Sequence, residues 1–163
     1  GHPMKTVEIV GKHFRGAAHT RIACRGVLYE DGKILLSHEL GTDWYLIPGG
    51  GAEDGETPEE CCIREMQEET GWLVNPKDCF LKLTECYGDW RYISYYFLCQ
   101  PLSQGKPQLT ETEAKRGLTP EWVELTEAEA IFADHVNLAH YEEKRGSYQR
   151  EHMALTVFRE ECL

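Results

Sequence analysis

Alternating apolar and polar residues predict β-strands in the first third of the chain. Two segments, 20–29 and 33–39, have this pattern, and Asp31-Gly32 between them is a tight-turn signal, so we predict a β-hairpin. A third short apolar run, 43–47, ends at Pro48 and three glycines. Because proline and glycine interrupt regular structure, a new element is expected after them.

That element is predicted to be a helix over 57–70. Thr57 can cap its first turn, Pro58 occupies a position where the missing N–H does no harm, and Glu60 can complete a capping box. Gly71 can end this helix, because glycine readily adopts the left-handed backbone conformation found at helix C-termini.

The second half of the chain predicts three further strands and a long connection. The strands are expected at 79–86, 91–100 and 122–125. Between the last two, the polar and turn-rich segment 101–120 is expected to be a functional or mobile loop.

Two helices are predicted to close the chain. Thr126 and Glu129 form the pattern of a second capping box, and a last helix is expected near 147–161, where Leu155 and Phe158 can pack. Strands, a helix, more strands and terminal helices predict an α/β protein, in which a mixed sheet carries helices on its faces. The strand order does not follow from these patterns.

The composition fits one folded domain. The chain has 163 residues, of which 41% are hydrophobic and 28% charged, as is typical of a globular domain with its own core. Residues 1–3 precede Met4 and resemble a cloning remnant, so we expect the domain over 4–163. No apolar run approaches the roughly 18 residues of a membrane span, and a signal-peptide pattern is missing. A cytoplasmic protein without membrane contact is therefore expected.

The seven cysteines are expected to be reduced thiols. Their number is odd, no CxxC pair occurs, and most lie in apolar segments, which argues against disulfides and zinc. They are Cys24, Cys61, Cys62, Cys79, Cys86, Cys99 and Cys162.

The net charge of -11 limits the class of partner. An acidic surface repels polyphosphate, so binding of a nucleic acid polymer is not expected. A small anionic substrate can still bind where metal ions neutralise it. An acidic protein acting on phosphates should therefore depend on metal.

The predicted helix over 57–70 carries three carboxylates on one face. Glu65, Glu68 and Glu69 lie at positions i, i+3 and i+4, where like charges repel by a few tenths of a kcal/mol per pair. A bound Mg²⁺ ion would offset this repulsion, since Mg²⁺ prefers oxygen ligands and is held by carboxylates together with substrate phosphates. The neighbouring face carries apolar residues for packing: Cys62, Ile63 and Met66.

The glycines ahead of this helix allow close backbone approach. A carbonyl in 48–51 could bind metal, and amides there could face phosphate oxygens. A glycine run alone is weak evidence, because most such runs are turns.

A longer pattern joins the glycines to the helix. Gly50 is followed after five residues by Glu56 and after seven more by the segment 64–72, Arg-Glu-Met-Gln-Glu-Glu-Thr-Gly-Trp. This spacing resembles the motif of the Nudix hydrolases. At position 72 the family motif usually has an aliphatic residue, and this chain has Trp72. Because tryptophan is also apolar, the difference should affect local packing rather than catalysis.

The resemblance implies an α/β/α sandwich and a set of site residues. Glu65, Glu68 and Glu69 would bind Mg²⁺, for which Mn²⁺ could substitute, and the carbonyl of Gly49 would be a further ligand. Arg64 would orient one of these carboxylates through a bidentate pair.

Further roles are implied for residues beside the metal ligands. Glu56 would brace the loop, and Gly50 would let the backbone approach the substrate. The base that deprotonates the attacking water differs between family members. Here Glu65 is one candidate, and Glu111 and Glu113 of the later loop are others, of which Glu113 is favoured.

The resemblance also implies a small nucleotide or nucleoside diphosphate derivative as substrate. Trp90 and Tyr92, beside a Gly88-Asp89 turn, could stack on a base, although strand aromatics are more often part of the core. The cations Lys144, Arg145 and Arg150 are expected on the surface, with a substrate-facing role open for one of them.

The substrate class within the family stays less defined. A nucleoside triphosphate or related nucleotide is favoured. ADP-ribose enzymes carry a proline where Gly88 stands, and the tyrosine of dinucleoside polyphosphate enzymes has only an approximate counterpart in Tyr87. A catalytically silent nucleotide-binding module is a further alternative, and the last helix leaves a homodimer open.

Overall fold

In this computed structural model of the protein, residues 4–163 are described; the predicted cloning remnant at 1–3 lies outside the described residues. Residues 4–163 form nine strands and four α-helices, with a 3-10 turn at Asp134–Asn137 before the last helix. The strands are β1 Lys5–Val10, β2 His19–Val27, β3 Tyr29–Glu30, β4 Lys33–Glu39, β5 Trp44–Leu46, β6 Gly49–Gly51, β7 Trp72–Tyr87, β8 Trp90–Gln104 and β9 Leu118–Glu124. The helices are α1 Pro58–Thr70, α2 Glu111–Lys115, α3 Leu125–Ala133 and α4 Glu142–Cys162.

The strands form two sheets. A mixed five-stranded sheet has the order β1-β7-β8-β2-β6, and a smaller antiparallel sheet places β4 between β9 on one side and β3 and β5 on the other. Helix α1 packs on one side of the sheets, and α3 and α4 pack on the other. The predicted α/β/α sandwich with a mixed sheet is confirmed.

Two apolar clusters fill the sandwich. The larger joins both sheets to α3 and α4 through residues such as Leu83, Phe132 and Phe158. The smaller lies beneath α1 and includes Cys62 and Met66. Met66 packs so closely on β2 that a Cβ at Gly26 would come within 2.7 Å of its sulfur, which fixes α1 against the mixed sheet.

Helix α1 has the predicted ends. Thr57 and Glu60 form the capping box, Pro58 is the first helical residue, and Gly71 ends the helix at φ 80°. All seven cysteines are free thiols, as expected. Among residues 4–163, no helix is both long and apolar enough to cross a membrane.

The predicted hairpin is only partly correct. Asp31-Gly32 does form the turn, and Tyr29 pairs with Ile34. However, β2 leaves this hairpin at Leu28 and joins the other sheet between β8 and β6. The apolar pattern identified the strand, but its partners are distant in sequence.

The long loop predicted at 101–120 is wrong in extent. Strand β8 continues to Gln104, α2 occupies Glu111–Lys115, and β9 begins at Leu118. The remaining connection is tied to the end of α1, because the amides of Gly105 and Gln108 donate to the carbonyls of Gly71 and Glu68 at 2.7 Å each. The segment is thereby anchored beside the carboxylate helix.

Other element bounds also differ from the predictions. Strand β7 begins at Trp72 rather than 79, passing Pro76 through a bulge, and α4 begins at Glu142 rather than near 147. Strand β1 was not predicted.

The second capping box does not form. Helix α3 starts at Leu125 after Glu124, without a side-chain cap, so Thr126 already lies within the helix. Glu129 instead pairs with Arg159 of α4 at 2.7 and 2.9 Å.

Candidate active site

Strand β6 separates the carboxylate helix from a cleft. Successive residues of a strand face opposite sides, and the three glycines follow this rule. A Cβ at Gly50 would come within 2.5–2.8 Å of the Glu65 carboxylate, whereas one at Gly49 would meet Arg25 and one at Gly51 would meet the Arg21 guanidinium. The glycine strand therefore has glutamates on one side and arginines on the other.

A side chain at Gly50 should disturb the site more than the fold. Because the Cβ of Gly50→Ala would overlap the mobile end of Glu65, that carboxylate must move. We expect turnover to fall at least tenfold while the melting temperature changes by a few degrees. Steady-state kinetics and thermal unfolding of Gly50→Ala test this, and wild-type turnover in that variant would contradict the close approach of Glu65.

The three glutamates of α1 differ in exposure and partners. The side chain of Glu65 is 17% exposed and accepts from Arg64 Nη1 at 2.8 Å. Glu68 is 43% exposed and is 3.3 Å from the same nitrogen. Glu69 is buried and accepts a hydrogen bond of 2.5 Å from the Ser37 hydroxyl of β4.

Burial alters the acidity of two of these groups. It raises the pKa of Glu69 to about 7, against the opposing effects of Ser37 and the positive charge of Arg25. It also raises the pKa of Glu65, which Arg64 opposes. The negative charge of Glu113 adds to the rise in both pKa values, so Glu113 lies close enough to affect this face of α1.

Arg64 connects the helix to the loop before it. Its Nε and Nη2 donate to both oxygens of Glu56 at 2.7 and 3.0 Å, and Nη2 also donates to the Gly51 carbonyl at 2.9 Å. Arg64 therefore forms its bidentate pair with Glu56 and not with one of the expected metal ligands. Glu65 and Glu68 each receive a single contact from Arg64. The hydrogen bond from Arg64 lowers the pKa of Glu56 to about 2.

Glu56 braces the loop, as the resemblance implied. Besides pairing with Arg64, its carboxylate accepts from the Glu53 amide at 3.0 Å. This holds the turn between β6 and α1.

The oxygen donors beside β6 suit a hard divalent cation. The set consists of the Glu65, Glu68 and Glu69 carboxylates together with glycine carbonyls, which is the ligand chemistry that Mg²⁺ prefers. Within residues 4–163, no three His, Cys, Asp or Glu side chains converge as a ligand shell; Arg64 contacts Glu65 and Glu68, and Ser37 contacts Glu69. Binding thus requires these side chains to exchange those partners for the cation.

A cleft of about 910 Å³ lies on the opposite side of β6, between the mixed sheet and α4. Although the chain as a whole is acidic, five cationic side chains line this cleft against three carboxylates. The cations are Lys12, Arg21, Arg25, Arg145 and Arg150, and the carboxylates are Glu85, Glu142 and Glu143. The excess of cations favours an anionic ligand in this cleft.

Sequence reasoning missed two arginines of β2. Arg25 donates to the Ile47 carbonyl at 2.8 Å, while its buried Nε–H has no hydrogen-bond partner among the described residues. Arg21 lies beside Gly51. The available signal was a pair of arginines four positions apart, and therefore on one face of the predicted strand, where the structure leaves Arg21 exposed and Arg25 half-buried.

The expectation of a surface position for Arg150 was wrong. Its side chain is 13% exposed. Its Nε donates to the Tyr96 hydroxyl at 3.0 Å and to the buried Glu151 at 3.1 Å. The segment around it looked like an exposed charge run, but α4 turns this residue towards the cleft, where Arg145 also lies.

The predicted aromatic pair is present at one end of the cleft. Trp90 and Tyr92 stack with ring centroids 5.6 Å apart. Tyr92 lines the cleft, whereas Trp90 is 39% exposed and contacts His19 on its other side. The structure thus brings Tyr92, but not Trp90, to the cleft wall.

The two loop glutamates lie on α2. Glu111 is exposed and pairs with Lys115 at 3.2 Å. Glu113 completes a capping box with Thr110, and its charge influences Glu65 and Glu69 as described above.

Known proteins match this chain in sequence and in fold. The NUDIX domain family model matches residues 18–144. The chain is 38% identical over 69 residues to an ADP-ribose pyrophosphatase of Methanocaldococcus jannaschii, covering 40% of this chain and 41% of that protein. It is 37% identical over 79 residues to an 8-oxo-dGTP diphosphatase of Escherichia coli, covering 48% and 57%.

The fold is shared with a NUDIX hydrolase from Nitrosomonas europaea, at a TM-score of 0.59 and 24% identity over 69% of this chain and 77% of that one. The chain belongs to the Nudix hydrolase family, as its motif predicted. The aligned region spans about half the length of the two curated relatives.

Proposed function

We propose that this protein is a Mg²⁺-dependent pyrophosphohydrolase that cleaves the diphosphate of a nucleoside triphosphate or a related nucleotide. One observation carries the proposal: β6 has the Glu65 carboxylate of α1 against one face and, against the other, Arg21 and Arg25, which line a cleft with an excess of cations. A diphosphate beside β6 would have oxygen donors for metal on one side and arginines for its own charge on the other.

We assign phosphate binding to the arginines and metal binding to the glutamates. Arg21 and Arg25 neutralise the phosphates, and the unpartnered Nε–H of Arg25 is free to donate to a phosphate oxygen. Glu65, Glu68, Glu69 and the Gly49 carbonyl would hold Mg²⁺ or Mn²⁺. When bound, such a cation neutralises the diphosphate and lowers the pKa of a coordinated water.

A carboxylate must then accept the proton of the attacking water. Glu65 and Glu113 are the two candidates, since both contribute to the electrostatics of the same face of α1. We favour Glu113, because within residues 4–163 its carboxylate accepts only from the Thr110 amide, whereas that of Glu65 is held in an ion pair by Arg64. The tie of residues 105 and 108 to the end of α1 supports a fixed position for the loop that carries Glu113.

Glu113→Gln is expected to lower kcat by about 10²–10⁴-fold, the usual contribution of a general base. Glu111→Gln is the matched control on the same short helix and should change kcat less than threefold, because Glu111 is exposed and pairs with Lys115. Initial rates at saturating Mg²⁺ measure both. The reverse order would show that the wrong loop carboxylate was chosen.

The substrate is proposed to be a small molecule rather than a nucleic acid polymer, in keeping with the net charge of -11. The seven free thiols support a reducing compartment such as the cytoplasm. One of the two relatives acts on ADP-ribose by its name and the other on 8-oxo-dGTP.

A panel of nucleoside triphosphates, diphosphate sugars and dinucleoside polyphosphates tests the proposal. The assay measures phosphate after pyrophosphatase or phosphatase coupling, with Mg²⁺, with Mn²⁺ and with a chelator. We expect metal-dependent turnover of at least one nucleotide. Nucleotide binding without turnover under any metal condition would favour the silent binding module instead.

A further inference from the structure

A buried carboxylate at the far end of the cleft has few partners. The side chain of Glu85 on β7 is only 6% exposed, and it lines the cleft. One oxygen is 3.7 Å from Arg150 Nη1, beyond hydrogen-bond distance, and the other is 3.5 Å from the Tyr87 hydroxyl. Buried carboxylates are costly unless hydrogen-bonded, and these two long contacts leave Glu85 with acceptor capacity where it lines the cleft.

The position of Glu85 relative to the glycine strand suits the base of a nucleotide. From β6, the sheet continues through β2 and β8 to β7, and Arg21, Tyr92 and Glu85 are successive partners across those last three strands. Neighbouring strands lie about 4.8 Å apart, so three steps separate β6 from β7 by about 14 Å. An extended nucleotide with its phosphates at β6 would reach β7 with its base.

The neighbouring cation completes the recognition pattern. Arg150 uses its Nε to bond Tyr96 and Glu151, which leaves its Nη donors without hydrogen bonds in the described structure. The Glu85 carboxylate therefore offers two acceptor oxygens, and the Arg150 guanidinium beside it offers a donor.

The bases differ in how they match this pattern. Guanine offers adjacent N1–H and 2-amino donors together with the O6 acceptor, so it can give the carboxylate two hydrogen bonds and accept one from the arginine. Adenine and cytosine offer one donor group next to an acceptor, and uracil offers a single N–H between two acceptors. Only guanine among these bases can satisfy both oxygens of Glu85.

We propose that Glu85, assisted by Arg150, selects guanine nucleotides by accepting hydrogen bonds from N1–H and the 2-amino group of the base. This inference rests on the proposed nucleotide substrate and makes Glu85 a specificity-determining residue. It assigns no role in bond cleavage to Glu85.

Equilibrium binding tests the inference without requiring turnover. Calorimetric titration of the wild type with GMP, dGMP, IMP, AMP and UMP should show the tightest binding for GMP and dGMP. Loss of the 2-amino group in IMP should weaken binding about 10-fold or more, within the range expected for a bidentate contact. Equal affinity for GMP and IMP would overturn the proposal, whether or not the protein hydrolyses any nucleotide.

The isosteric variant Glu85→Gln supplies the second arm. It should weaken GMP and dGMP binding about 10- to 100-fold and change AMP and UMP binding less than threefold. Glu8→Gln removes the same charge at an exposed position of β1, one residue from the strand partner of Glu85, and should leave all affinities unchanged.

Two outcomes of this arm would overturn base selection. A uniform loss for every nucleotide would mean that Glu85 only shapes the cleft. A loss confined to ribonucleotides, with dGMP spared, would mean that it binds the sugar hydroxyls. Failure of the proposed hydrolysis would give a different result. The protein would then hydrolyse no nucleotide, but it would still bind GMP and dGMP more tightly than IMP, AMP and UMP.

Discussion

Glu69→Gln is expected to lower kcat by about 10³-fold or more, since loss of metal-based charge stabilisation costs several kcal/mol and each 1.36 kcal/mol is a factor of ten. The fold should survive, because a glutamine amide can still accept the hydrogen bond from Ser37. Glu59→Gln, at an exposed position in the first turn of α1, is the matched control and should retain wild-type rates. Turnover above a tenth of the wild-type rate in Glu69→Gln would remove this residue from the metal site.

The same variant should change how the metal-free protein responds to pH. Burial raises the pKa of Glu69 to about 7, so between about pH 4.5 and 7 the folded state retains a proton that the unfolded state has lost. The stability that this group contributes therefore decreases as the pH rises through that window. Glu69→Gln should lack this decrease, and urea unfolding at pH 5 and pH 8 measures the difference.

Glu151→Ala is expected to lower the free energy of unfolding by about 3–5 kcal/mol, the range for breaking one side of a buried ion pair. Glu151 is fully buried on α4 and accepts hydrogen bonds from the Ile47 amide, the Tyr96 hydroxyl and Arg150. Removing it leaves all three donors without this partner. Because Ile47 lies two residues before Gly49, the glycine strand should also lose its fixed position.

Urea unfolding measures this loss. Glu160→Ala is the control on the same helix, where the residue is exposed, and it should change stability by less than about 0.5 kcal/mol. A loss below about 1 kcal/mol in Glu151→Ala would show that the buried contacts contribute little.

The parts of the site that sequence could predict are those encoded by local spacing. The α1 capping box, the stop at Gly71 and the common face of Glu65, Glu68 and Glu69 all depend on residues within a few turns of one another. Local patterns fix these features because helix caps and helix faces are set by positions three or four residues apart.

The cleft could not be predicted in the same way. It forms where α4 crosses a sheet whose strands come from both halves of the chain, so Arg25, Glu85 and Arg150 meet only in the folded protein. The pairing of β2 with β8 joins residues about seventy positions apart, as in His19 with Trp90. Period-two alternation shows that a segment is a strand but does not identify its neighbour.

Helix α3 shows how tertiary contacts override a local signal. Thr126 and Glu129 have the spacing of a capping box, yet the amide of Leu125 donates to the Gly32 carbonyl at 2.9 Å and the helix starts two residues earlier than this box predicts. The Glu129 carboxylate instead accepts a hydrogen bond from Arg159 of α4. Both contacts join parts of the chain that no short window contains.

We expect the α1 glutamates to bind the divalent cation on which hydrolysis depends. Electron paramagnetic resonance of free Mn²⁺, titrated against the wild type and a Glu65→Gln, Glu68→Gln, Glu69→Gln triple variant, tests it most directly. The wild type should bind Mn²⁺ that Mg²⁺ displaces, and the folded triple variant should lose that binding. Equal Mn²⁺ affinity in the two proteins would contradict it.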